Sequence, residues 1–178
     1  MKIHFRRSLM ASLMLTIATL VIVYAQQPKK GNDKMSDMPD EQMNKRGDHV
    51  MGFDHTKTTH HFLLQEFGGS IEVTANSSED LESSSQIRMH LKHIAMMFAD
   101  GNFNAPMLIH DQTPPGVPVM QELKGEIKYD FEEIDRGAAV RISTKNPAAL
   151  KAIHDFLRFQ IKEHKTGDSV VIGKRSGA

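Results

Sequence analysis

Two stretches of the chain alternate apolar and polar residues, and each is followed by a stretch whose apolar residues recur every three or four positions. In the first, Thr58 to Glu66 and Ser70 to Ala75 flank Gly68-Gly69, and Ile71, Val73 and Ala75 alternate with Ser70, Glu72 and Thr74. One wet and one buried face predict a β-hairpin, with the glycines supplying its tight turn. A polar stretch from Asn76 to Ser85 leads into a helix running to about Ala99, with Ile87, Leu91, Ile94 and Phe98 as its core stripe.

The order then recurs. Glu126 to Glu133 alternates Ile127, Tyr129 and Phe131 with charged residues, Asp135-Arg136-Gly137 turns the chain, and Ala138 to Thr144 returns it with Val140 and Ile142 inward. Asn146-Pro147 is a strong helix start, an N-cap followed by proline at the first helical position. This helix should run to about Lys165, with Gly167 placed to end it. The expected fold is α+β, a duplicated ββα unit forming a four-stranded antiparallel sheet with two helices on one face.

Residues 1–25 add an address. A basic head (Lys2, Arg6, Arg7), an apolar run from Leu9 to Val23 and the small-x-small Val23-Tyr24-Ala25 read as a secretory signal peptide. At ~1.5 Å per residue the run is short for a bilayer core of about 30 Å, so a membrane role arises only through an uncleaved signal segment. Export to a bacterial periplasm or medium follows. Residues 26–52, rich in Lys, Asp, Gln and Asn, read as a flexible, Met-containing tail. Residues 53–168 form a single α+β domain, and 169–178 a disordered C-terminus. The connection from Gly101 to Leu123 is long and proline-rich, a stiff loop of the kind that often carries function.

Composition sharpens this. Lys and Arg total 22 against 22 Asp and Glu, and removing Lys2, Arg6 and Arg7 leaves an acidic balance that offers nucleic acid no basic partner. Zero cysteines exclude disulfides, thiolate metal sites and thiol catalysis. Twelve Met and ten His, with no Trp, are the unusual counts, and their placement decides what they mean.

Met89, His93 and Met96 fall on the side of the first helix opposite its core stripe, one turn apart, with His90 and Met97 on a flank. Thioether and imidazole donors on a wet face suit Cu(I). Met35 and Met38, with Met43, His49, Met51 and His55 beyond them, add a second Met/His run in the tail. Copper is the expected cofactor if there is one. A Met-rich helix face packed on a neighbour, with incidental tail methionines, is the plain alternative.

Other histidines are less directive. His60 shares a strand face with Phe62 and Leu64 and His61 with Leu63, so the two point apart. The second helix has two apolar stripes. Leu150, Ile153, Leu157 and Ile161 form one and Ala149, Ala152, Phe156 and Phe159 the other, so it is buried on two sides or supports a dimer through Phe156 and Phe159. No Gly-x-Ser-x-Gly, His-Glu-x-x-His, phosphate-loop or dinucleotide signature occurs, and no catalytic residues are assigned.

The segments Met51-Gly52-Phe53-Asp54-His55-Thr56-Lys57-Thr58-Thr59-His60-His61-Phe62 and His154-Asp155-Phe156-Leu157-Arg158-Phe159-Gln160-Ile161-Lys162-Glu163-His164-Lys165-Thr166-Gly167-Asp168 resemble an uncharacterised group of secreted bacterial proteins. The resemblance covers about residues 50 to 168 and implies export and one small domain, with no established activity. Three readings stand. The first is an exported binding protein handling copper or another soft metal. The second is an envelope interaction module or adaptor, partnered by a second copy or another envelope protein. The third is a hydrolase-like enzyme using His60 or His61 with the loop pair His110-Asp111.

Overall fold

The structure is a computed structural model and describes residues 38–172. Five α-helices and one open antiparallel sheet of four strands make an α+β fold among these residues. The elements run α1 (Met38–Met51), β1 (Thr58–Gln65), β2 (Gly68–Ala75), α2 (Leu81–Ala99), α3 (Asn104–His110), α4 (Val117–Glu122), β3 (Ile127–Ile134), β4 (Gly137–Thr144) and α5 (Pro147–His164). Strand order is β1-β2-β4-β3, so the two hairpins meet along their second strands.

Alternation sets the faces. Phe62 and Leu64 of β1, Ile71 and Val73 of β2, and Val140 and Ile142 of β4 are buried in the core, with Ile87, Leu91, Ile94 and Phe98 of α2 and Ile153, Phe156 and Leu157 of α5. Helix α2 packs against β2, β3 and β4, and α5 against β1, β2 and β4. Both helices begin where their side chains dictate. Asp80 accepts from Ser83 N, and Asn146 accepts from Ala148 N and Ala149 N, each capping amides that the first turn leaves free.

Several expectations are corrected. Gly68-Gly69 lies within β2, not in the turn, because it is needed where backbones touch. A Cβ on Gly68 would come within 1.8 Å of Ile142 O, and one on Gly137 within 1.9 Å of Val73 O. Helix α5 ends at Lys165 in the left-handed region, its N–H bonded to Ile161 O and Lys162 O, two residues before Gly167. The connection from Gly101 to Leu123 is a stiff excursion, yet it folds into α3 and α4, whose Ala105, Ile109, Val117 and Met120 are buried.

The tail is also corrected over 38–51, which is helical. Val50 and Met51 pack on the core, and Arg46 Nε donates to Ile109 O at 2.9 Å. At the other end, residues 169–172 are held rather than loose, since Arg158 Nε donates to Val170 O. Just before them Asp168 clasps β1, accepting from Phe62 N at 2.9 Å and meeting His61 Nδ1 at 2.8 Å. None of the described helices is long and apolar enough to cross a membrane. The signal segment and residues 173–178 lie outside the described residues.

Candidate functional site

Imidazoles converge where β1, α2, α3 and α5 meet. His60 is carried on the core-facing row of β1, His90 on the flank of α2, His164 on the last turn of α5 and His110 on the last turn of α3. The His60 and His164 rings lie nearly parallel, with centroids 5.8 Å apart and planes at 11°. His110 stands edge-on to His164 at 5.0 Å. Phe53, just after α1, stacks on His60 at 6.0 Å and meets His90 edge-on at 5.6 Å.

Three of these rings, His60, His90 and His164, border a cavity of about 60 Å³ together with Gln160, and its remaining wall is apolar, with Met51 included. That is room for about two water molecules. Burial pushes His60 down to about 4, helped by the neighbouring His90, and His90 down to about 4, helped by His93. Burial also pushes His164 down to about 3, aided by His60 and His110, and lowers His110. At neutral pH all four rings are therefore uncharged and each has a free nitrogen lone pair.

Buried polar atoms are normally paired. Here His60 Nε2, His110 Nδ1 and Gln160 Nε2 are buried without a partner. His110 Nε2 meets Gln160 Oε1 at 3.0 Å, which satisfies one end of each side chain and leaves the other bare. An unmet buried group costs about 1–3 kcal/mol. Contrast His154, equally buried, whose Nε2 donates to Gln65 O and Gly68 O and so ties α5 to the first hairpin.

The cavity offers imidazole, amide and thioether groups. Its lining contains no hydroxyl and no carboxylate, so neither a nucleophile nor an orienting acid is at hand. His110 does reach toward the strand histidine through His164, yet Asp111 is exposed in a left-handed turn and is no partner for it. His61 is spoken for by Asp168. The ring nitrogens do not form a ready ligand set: among the described residues the one group of three or more His, Asp or Glu side chains with ligand atoms all within 4.8 Å of one another is Asp48, Asp54 and His55. Those three already serve local structure. Asp48 binds His55 N and Nδ1, and Asp54 caps the short turn at Thr56.

The sequence-derived metal residues sit elsewhere. Met89 and Met96 are 72% and 54% exposed on α2 beside the exposed His93, on the wet face expected of them. His90 is separated from that set and borders the cavity. Met38 opens α1, and Met35 lies outside the described residues. Of the two expectations for α5, burial on two sides or a dimer surface through Phe156 and Phe159, Phe156 meets the first: it is 0% exposed, covered by the sheet and the α3–α4 region. Sequence reasoning missed His60, His164 and Met51 as cavity residues. The available signal was a polar residue at a core-facing position: His60 keeps step with Phe62 and Leu64, and His164 follows Ile161 by one turn.

No family model matches this chain, and neither a curated protein nor a solved structure is similar to it.

Proposed function

We propose that this chain is an exported small binding protein that holds a soft metal ion, copper in the first instance, inside its fold at His60, His90 and His164. One observation carries the reading: three imidazoles kept neutral by burial border one cavity, and His60 Nε2 in particular is buried with nothing to bond. Structures tolerate such unmet groups chiefly where function requires them. Imidazole with a nearby thioether is a borderline-to-soft donor set, and neutral rings need lose no proton to bind. Export is supported by the basic head and apolar run at residues 1–25.

The test is a Cu(I) titration against a competing chromophoric chelator, using the wild type, His60→Phe, and the triple variant Met89→Leu, His93→Ala, Met96→Leu. Tight uptake abolished by His60→Phe and kept by the triple variant is the expected result. The reverse pattern returns the site to the outer face of α2, and no uptake by the wild type sinks the metal reading.

One observation favours the adaptor as a second reading. Phe67, Val171 and Ile172 are exposed around an open groove of about 860 Å³ beside the first hairpin. Retention of a partner by the wild type, lost on Phe67→Ser with Cu(I) uptake unaltered, would favour it.

We propose too that the domain is a duplicated ββα unit with α2 and α5 on one face of the sheet. Support comes from register: Thr58 and Gly68 open β1 and β2 as Ile127 and Gly137 open β3 and β4, and the equivalent residues Ile71 and Val140 pair with each other.

A further inference from the structure

Resting on the adaptor reading above, we infer that the surface around Phe67 docks a second copy of this chain, related to the first by a two-fold axis. Phe67, in the turn between β1 and β2, is 62% exposed. Two open hollows share it as a wall. One, of about 860 Å³, is bordered by Glu66, Asp130 and Arg141 with the apolar Leu63, Val171 and Ile172. The other, of about 820 Å³, is bordered by Glu126, Lys128, Lys145 and Pro147. Phe67 and Ser143 line both, so they form the ridge between them.

The two hollows differ in sign. In the first, Arg141 is engaged by Glu132 and Glu72. That leaves Glu66 and Asp130 as exposed carboxylates with no ion-pair partner among the described residues. In the second, Glu126 accepts from the Asn146 amide, while Lys128 and Lys145 are exposed and likewise without an ion-pair partner. Local structure sets this reversal. Lys128 and Asp130 are two residues apart on β3, so they share a sheet face about 7 Å apart. Thr144 N donates to Phe67 O at 3.0 Å, which brings the turn alongside Lys145. A surface acidic on one side of an aromatic ridge and basic on the other is complementary to itself. A two-fold axis through the ridge lays the carboxylates of each copy on the lysines of the other and packs the two Phe67 rings together. A partner of uniform charge would gain at one hollow and lose at the other. The interface closes at two copies, so no chain of subunits grows from it.

The experiment measures the mass of the full chain by sedimentation over a range of concentrations. It compares the wild type with Phe67→Ser and with two charge reversals, Glu66→Lys with Asp130→Lys, and Lys128→Glu with Lys145→Glu. Melting curves confirm that each folds; the single changes Glu66→Lys and Lys145→Glu, both outside the strands, serve if the pairs do not. The expected wild type is a monomer–dimer equilibrium that weakens as salt rises from about 50 mM to about 500 mM. Each variant alone loses affinity for itself, on the order of 10-fold or more. The two reversals mixed in equal amounts regain the dimer, because one is then basic in both hollows and the other acidic in both. A dimer indifferent to Phe67→Ser and to both reversals lies on another face and overturns the inference, as does a dimer not regained on mixing. A wild type monomeric at every concentration also overturns it. If that monomer retains another protein through Phe67, the adaptor reading stands without the second copy; if it retains none, both fall.

Discussion

The third residue of β1 and the third residue of β3 both face the core, and the protein treats them in opposite ways. Tyr129 of β3 sits edge-on to Phe98 at 5.9 Å, within a cluster where Phe98 stacks on Phe103 at 4.3 Å and Phe156 stands against both. His60 of β1 faces two further imidazoles and a cavity. Each carries a buried polar atom without a partner, Tyr129 Oη and His60 Nε2. At the tyrosine end the orphan is the tip of a ring whose body is well packed, and burial raises its pKa far above neutrality, so it stays inert. At the histidine end the orphan His60 Nε2 belongs to a ring that borders a small cavity. One end of the core is closely packed aromatic rings and the other is imidazoles around a small cavity.

Acid should separate the two ends most sharply. His60 and His90 have folded pKa values near 4 and His164 near 3, below the ordinary value of 6.5. The unfolded chain therefore takes up protons first as pH falls. The stability is fully present above about pH 6.5 and is lost as pH drops through about 4. Urea melts of the metal-free protein at pH 7.5, 5.5 and 4.5 should show this loss, and His60→Phe should reduce it. A flat profile in the wild type would mean the rings are solvated. Next in size, Phe98→Ala should cost about 3–5 kcal/mol in thermal or urea unfolding, since it guts the packed end.

Asp168→Ala should cost roughly 1–3 kcal/mol, because it strands Phe62 N and frees His61, and a urea midpoint reads it directly. Smaller still and of opposite sign, His60→Phe should stabilise the metal-free protein at pH 7 by about 1 kcal/mol, trading an unmet imidazole for hydrocarbon. If that substitution destabilises instead, His60 is a structural residue and the contrast with Tyr129 collapses. Tyr129→Phe should change stability by no more than about 1 kcal/mol in calorimetry, with no change in pH dependence below pH 8.

The sheet and its helices were legible because their causes are local. Period-two alternation marks β1 to β4 within one residue or two, and Asn146-Pro147 marks the start of α5. Helix α1 was not legible, since its polar sequence lacks a broad apolar stripe and Val50 and Met51 alone anchor it to the core. The cavity was illegible for a different reason. Its imidazoles come from His60, His90 and His164, with His110 edge-on behind His164, all far apart in the chain, and only tertiary packing of four elements brings them together. Met89, His93 and Met96 share the exposed side of α2. Their spacing drew attention to that side, while His90 on the flank was the member that turned inward.

The clasp of Asp168 on Phe62 N bears on how the molecule behaves in a crowd. Strand β1 is an edge, and its outward amides offer a template on which a strand from another molecule could grow. A carboxylate seated on the middle of that edge blocks the register a visiting strand would need, and it brings a negative charge that any newcomer must displace. The opposite edge, β3, is guarded by Lys128, Asp130 and Glu132 instead. Self-association into fibrils is thereby discouraged by two separate means, one of which depends on a segment only a few residues from the end of α5. Proteolytic trimming before Asp168 would leave the hydrophobic core intact and convert a protected edge into a sticky one.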